Sequence, residues 1–542
     1  MIGEGGRCVG INLAGGRARS MVRLGVRAID SESADLRRSV RLTIAASSIA
    51  VLSVGLPAYL LAEIPDQGRS EAWVITLLIM VWGGIRLSLT WVSGRPQLFD
   101  FFFWIFTYIF MGLAPTAQIR ADAVSTTTPG IDSAFDVPTA GIVTLGIGCY
   151  ELARLGAFAL QHARPRTGTP SPPRGVSPVR TAVLAVVGVA VSAYFVTRIG
   201  AAAALGSREA AFAARNAQWP DPAIRAVMYA SSIYPLLIAT GALAQLRRTA
   251  VWPTVRRVSG FAALGAAVVL LMVVNPIASA RYTFGTVAFA LAVFAGAMAT
   301  RLRARLTMLV AIVGFLFVFP IADAFRSDEV RVSRTSFFGE YLSNPDYDAF
   351  WQIANALSYW IDGLVEPGRQ VLGNLLFWVP RAIWPDKPTD SGIVLAEYRG
   401  YSFDNLSAPM WAEALINGGI VAVVLVFLAL GFALRVMDVR IVVAFASGGV
   451  WAIVGAVFPV FMTILMRGSL LQATGATMVM IACLLFVAGG REGPPATQMP
   501  DQATRSASRS LRYQSTVRRS PSARSTAGDQ PVDRSSPTSS SF

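Results

Sequence analysis

Histidine is nearly absent from this 542-residue chain, where His162 is the only one. A His-ligated metal site is thereby excluded, and a histidine general base would have to be that one residue, which lies beside a basic loop. Cysteine is scarce too. Cys8, Cys149 and Cys483 fall in the amino-terminal tail and inside apolar runs, so neither an extracytoplasmic disulfide nor a Cys-based metal centre is expected. Lysine occurs once, at Lys387, although lysine and arginine together number 47. That bias fits a GC-rich coding sequence and arginine-rich inward loops, not a nucleic-acid surface. Charge of either sign is thin, at 15% against 54% hydrophobic residues. A soluble domain of this length would carry more, so the chain reads as a polytopic membrane protein.

Residues 1–41 are rich in arginine and glycine and lack the pattern of a cleavable signal peptide, with Met21 an alternative start. From Leu42 to about residue 489, apolar runs alternate with short polar breaks, which predicts about twelve spans of roughly 20 residues. The arginines of the breaks fall on one side: Arg37, Arg38 and Arg41, then Arg164 to Arg180, Arg247 to Arg257, and Arg301 to Arg305. That side is cytoplasmic by the positive-inside rule. Both termini are then cytoplasmic, and the stretch 323–412, between the ninth and tenth spans, becomes one large outward loop. The fold class expected is an all-α, multi-pass bundle in the cytoplasmic membrane. The Ser-, Arg- and Pro-rich stretch 490–542 is expected to be a disordered cytoplasmic tail.

Within the outward part, the stretch from Phe377 to Gly419 packs tryptophans, prolines and opposite charges between apolar runs. Arg381, Lys387 and Arg399 supply cations, Asp386, Asp390, Asp404 and Glu413 supply carboxylates, and Trp378, Trp384 and Trp411 supply flat apolar faces. Short outward loops normally avoid arginine, yet Arg208, Arg281 and Arg467 stand there; each either snorkels to head groups or faces an internal cavity. Several guanidiniums can neutralise a pyrophosphate in a low-dielectric pocket without a divalent ion. The first outward loop holds Glu63, Asp66 and Glu71 but no adjacent acidic pair, and Asp328–Glu329 comes too late for a metal-dependent lipid-donor motif. Between Phe337 and Trp360, Tyr341, Tyr347, Phe350, Trp351 and Tyr359 suggest either an amphipathic helix on the membrane surface or platforms for sugar rings.

The combination FWVPRAIWPDKP, NLSAPMWAEALINGGIV and LMRGSL resembles the Wzy-type polymerases of O-antigen and related repeat-unit polysaccharides, and is similar also to the broader O-antigen ligase group. Ten residues separate Arg381 from Gly392, as in the arginine and glycine pattern of that family's outward loops. The resemblance covers roughly residues 370–475. It implies a GT-C-like helical bundle that joins undecaprenyl-pyrophosphate-linked oligosaccharide repeat units on the outer face of the membrane. No metal or cofactor is implied, and a polysaccharide chain-length regulator is the expected partner, besides membrane lipid. Arg381 would bind pyrophosphate with Arg281, Arg467, Arg208 and Lys387. Glu413 would be the base for the acceptor hydroxyl, with Asp404 in reserve; the alternative for Glu413 is a helix-end carboxylate. Trp384 and Trp411 would stack on sugars or anchor the aromatic belt. Ligases of the group are expected to use an outward histidine, which this chain lacks. The competing readings are a ligase-like glycan transferase and a lipid-linked oligosaccharide flippase or exporter.

Overall fold

The computed structural model describes Ser39 and residues 42–163, 174–321, 337–403 and 406–491. Both tails, the pair Asp328–Glu329 and the reserve candidate Asp404 lie outside the described residues. Contacts divide the chain into Met1–Arg491 and Glu492–Phe542, and every described element belongs to the first unit.

Among the described residues, ten helices are long and apolar enough to cross a membrane. They are α1 (Leu42–Glu63), α2 (Ala72–Ser93), α3 (Leu98–Arg120), α4 (Ser133–Ala163), α5 (Pro178–Ile199), α7 (Ile224–Thr249), α8 (Pro253–Val273), α14 (Met410–Ser447), α15 (Val450–Arg467) and α16 (Leu470–Val487). Shorter helices fall between them: α6 (Arg208–Gln218), α9 (Arg281–Ala295), α10 (Arg301–Val313), α11 (Ala349–Ile361), α12 (Arg369–Leu375) and α13 (Ser391–Arg399). Two short strands, β1 (Arg174–Val176) and β2 (Ala488–Arg491), pair antiparallel.

Of the roughly twelve spans expected, ten are found among the described residues, and the other two correspond to α9 and α10. Gly296 turns left-handed (φ 109°) and stops α9 after 15 residues. At 1.5 Å per residue that is about 22 Å, short of the roughly 30 Å hydrocarbon core. The second helix, α10, opens on Arg301, Arg303 and Arg305, which lowers its hydropathy, and continues as a π-helical segment over Gly314–Val318. These two helices lie antiparallel. Arg281 at the start of α9 donates to the Phe319 carbonyl just beyond α10, and at the other end Arg248 reaches the Phe294 carbonyl at 2.9 Å.

At the centre stands α3, buried along its whole apolar window. Its run Phe99 to Phe110 packs against α2, α14 and α15. A helix surrounded by other helices can be apolar on every side, as this one is. Its first turn carries a polar lock that the sequence reading did not single out. Asp438 of α14 accepts the Phe99 and Asp100 amides, each at 3.0 Å. Asp100 in turn pairs with Arg86 of α2 (3.2 Å) and Arg154 of α4 (3.1 Å), while Tyr150 and Trp104 donate to it. Charges at membrane depth persist only when partnered in this way.

Residues 341–358 do not sit on the bundle as a surface loop. Residues 349–358 of α11 are all buried, and Tyr341, Tyr347, Phe350 and Trp351 lie in the core. Trp351 donates to Gln118 Oε1 of α3 at 2.7 Å. Neither the surface helix nor the sugar platforms expected for these four aromatics is what the structure shows. Burial also holds the Tyr341 and Tyr347 phenols well above the ordinary tyrosine range, so both stay neutral.

Candidate active site

Three elements bring Arg208, Arg281 and Arg467 to one cavity of about 270 Å³. Arg208 is the first residue of α6, Arg281 the first of α9, and Arg467 the last of α15. They meet the segment Asn344–Asp348, where the Asn344 side chain accepts the Asp346 amide (3.0 Å) and closes a tight turn over Pro345–Tyr347. That turn presents Asp346 between two guanidiniums. Arg281 Nη2 lies 2.5 Å from Asp346 Oδ2, and Arg467 Nη2 lies 3.0 Å from Asp346 Oδ1 and 3.3 Å from Asp348 Oδ1. A further bond runs from Arg467 Nε to the Asp346 carbonyl at 2.9 Å. Asp348 is held from its other side by the Ser407 amide and the Thr127 hydroxyl.

Among the described residues, the cavity lining thus carries three guanidiniums and two carboxylates. The hydroxyls of Ser407 and Tyr282, both lining residues, are buried without a hydrogen-bond partner.

A second, apolar cavity of about 580 Å³ shares Arg281 and Tyr282 as walls with the first. It follows the pair α9 and α10 and is lined by Phe284, Phe289, Val310, Phe315 and Phe319. A cationic pocket opening beside an apolar groove suits an amphiphile with an anionic head and a hydrocarbon tail.

Arg381 and Lys387 are elsewhere. They line a third cavity, about 320 Å³, with Arg369, Glu366, Asp386 and Glu397. Both cations are turned onto their own loop: Arg381 donates to the Lys387 and Pro388 carbonyls, and Lys387 Nζ to those of Phe377 (2.6 Å) and Val379 (3.0 Å). Desolvation, and then the neighbouring Arg381 charge, lower the Lys387 ammonium from its usual range. Gly392 makes a close approach instead: a Cβ there would stand 2.3 Å from the Leu406 carbonyl oxygen. The structure therefore does not bring Arg381 and Lys387 to Arg281 and Arg467 as one pyrophosphate site, because their donors hold a turn together.

Glu413, 2% exposed, lines none of these cavities. Its Oε1 accepts the Leu470 amide at 2.9 Å, at the start of α16. Five residues earlier, the Ala408 amide donates to the Arg467 carbonyl at 3.1 Å. The beginning of α14 thus pins the turn between α15 and α16 that aims Arg467, and Glu413 Oε1 takes part in that helix-end contact. Trp411 is a correction. It is fully buried, 4.3 Å from the Phe427 ring, with its Nε1 donating to the Val143 carbonyl, so it presents no face to a sugar. Trp384 is partly exposed, and its backbone closes the Pro380–Lys387 turn.

Asp346 and Asp348 are the residues that sequence reasoning missed. The signal lay in Asn344-Pro345-Asp346, an Asx and proline turn followed by a second acid two residues on. A scan against protein-family models and searches of curated proteins and solved structures each find no match to this chain.

Proposed function

We propose that this protein is a membrane glycosyltransferase that polymerises undecaprenyl-pyrophosphate-linked oligosaccharide repeat units on the outer face of the cytoplasmic membrane. The observation that carries this reading is the meeting of Arg208, Arg281 and Arg467 in one cavity that shares its wall with an apolar groove. The polyprenyl chain lies in the groove along α9 and α10. The arginines grip the pyrophosphate, which leaves as an anion and needs its charge neutralised where water is scarce. Sequence resemblance to the Wzy-type polymerases supports the same reading, as do the arginines gathered at the other end of the bundle, which by the positive-inside rule favour an outward position for this site.

In the transfer, an acceptor sugar hydroxyl attacks the anomeric carbon of the lipid-linked glycan. A carbon–oxygen bond forms there, and the bond to pyrophosphate breaks. The hydroxyl proton goes to a carboxylate, and of the two that line the cavity Asp346 is the more exposed, at 23% against 2% for Asp348. While paired to two arginines it is a poor base. Once the pyrophosphate takes those guanidiniums, its basicity rises, which couples donor binding to proton acceptance. Glu413 and Ala408 act through the backbone by holding the Arg467 turn.

The experiment is a ladder gel of cell-surface glycan from a strain carrying Arg467→Ala, with membrane levels of the protein measured in parallel. The expected result is collapse to single repeats at normal protein level, since losing one such donor costs about 10²–10³-fold in rate. A full-length ladder would refute the assignment. An exporter is the second reading, and the charges Asp100, Arg86, Glu151 and Arg154 at the far end of the bundle are what favour it. Those charges pair with one another and line none of the three cavities, so the transferase reading is preferred.

A further inference from the structure

The strap from Arg369 to Ile383 turns its apolar side chains outward. Leu375 is 69% exposed, Trp378 68% and Ile383 76%, and Val371 and Leu372 are half exposed beside them. On α12, positions 371, 372 and 375 share one face, while Gln370 and Gly373 form the buried one. The strap is fixed to the bundle, because Asn417 accepts the Val371 amide (3.0 Å) and its carbonyl accepts the Gly368 amide (2.9 Å). Its buried face packs on α14 and α16. Both are apolar span helices with largely unburied windows, so the exposed face continues a lipid-facing surface.

The polar backbone of the strap is treated in the opposite way. The carbonyls of Phe377, Val379, Lys387 and Pro388 are taken up by Lys387 and Arg381, and the Asp386 carbonyl by Arg369. A water-exposed loop has no need of such internal donors. A loop in contact with lipid does, since every carbonyl left unpaired there is costly. Basic residues behind a Trp and Leu face are also the composition of segments that lie in the membrane interface.

From these observations we infer that residues 369–383 dock into the outward surface of the lipid bilayer, with Leu372, Leu375, Trp378 and Ile383 among the upper acyl chains. An interfacial segment of this kind enters to roughly 5–10 Å. The Arg381 and Lys387 turn, whose spacing resembles a polysaccharide-polymerase motif, then has the role of keeping the strap's backbone satisfied at the membrane surface. This inference is independent of the chemistry assigned to the arginine cavity.

The test uses the full chain with its three cysteines replaced, carrying Trp378→Cys or Ile383→Cys labelled with bimane, in phosphatidylcholine and phosphatidylglycerol vesicles. Leu485→Cys on α16 is the lipid-exposed control and Ser133→Cys the water-exposed one. Both strap labels should lose fluorescence to brominated lipid as Leu485→Cys does and resist aqueous iodide. Quenching by iodide at the level of Ser133→Cys, with no loss to brominated lipid, would overturn the inference. A second measurement needs no substitution. Photoactivatable phosphatidylglycerol should label peptides from 371–383 in the unaltered protein, and labelling of the α16 peptides without these would contradict docking.

Discussion

Arg467 uses two different nitrogens at once, with Nε on the Asp346 carbonyl and Nη2 between the Asp346 and Asp348 carboxylates. An ammonium is a point charge and cannot reproduce that fork. Asp346 is its counterpart, a carboxylate in contact with two guanidiniums and still in reach of the cavity. Asp346→Asn removes the negative charge but keeps nearly the same shape. Binding of an anionic polyprenyl lipid should hold or tighten, while polymerisation in reconstituted vesicles should fall about 10²-fold, the usual contribution of a proton acceptor. Unchanged turnover would show that the proton goes elsewhere. At this scale the sequence was legible in part. Arg208, Arg281 and Arg467 stand in short loops on the side opposite the arginine-rich breaks, and that anomaly marked the three residues, which the structure brings to one cavity. Asp346 and Asp348 left no comparable anomaly, because acids are ordinary in a long segment between spans. Trp411 misled for a related reason: a tryptophan at a helix start reads the same whether it faces lipid, sugar or the core.

At the scale of elements, α14 decides the geometry of the site. Gly418 and Gly419 leave helical backbone, Gly419 at φ 62° and ψ −150°, so the run Met410–Ser447 is two helices joined by a kink. The first carries Glu413 and Asn417, which hold the α15–α16 turn and the start of the strap at α12. Gly419 is also where the Trp360 indole crosses, since a Cβ there would lie 2.3 Å from its Nε1. Gly419→Ala should therefore lower stability by about 1–3 kcal/mol, from the left-handed backbone alone. A denaturation curve in detergent checks this, and a wild-type midpoint would show that the kink carries no strain. The glycine pair did not show as a break in the sequence, because its flanks read as one continuous apolar run. The shortness of α9 was hidden likewise: residues 283–300 are apolar enough to look like a full span, and only the left-handed turn at Gly296 reveals that the helix ends early.

For the whole molecule, one end of the bundle gathers Arg208, Arg281, Arg467 and the buried residues 349–358, while the other gathers Arg248, Arg301, Arg303 and Arg305 together with the polar lock on Asp100. The all-helical class and the membrane setting could be read from composition and hydropathy alone. How the late outward segment folds into the bundle could not, since burial of α11 depends on partners such as Gln118, more than two hundred residues away in sequence. What joins the scales is one claim, that the arginine cavity and the groove beside it hold a polyprenyl pyrophosphate. The most direct test is native mass spectrometry of the purified full chain mixed with undecaprenyl pyrophosphate. The wild-type protein should retain the lipid, the folded Arg281→Ala, Arg467→Ala double variant should lose it, and Arg381→Ala should keep it. Equal retention by wild type and the double variant, or loss only with Arg381→Ala, would contradict the claim and return the pyrophosphate to the Arg381 loop.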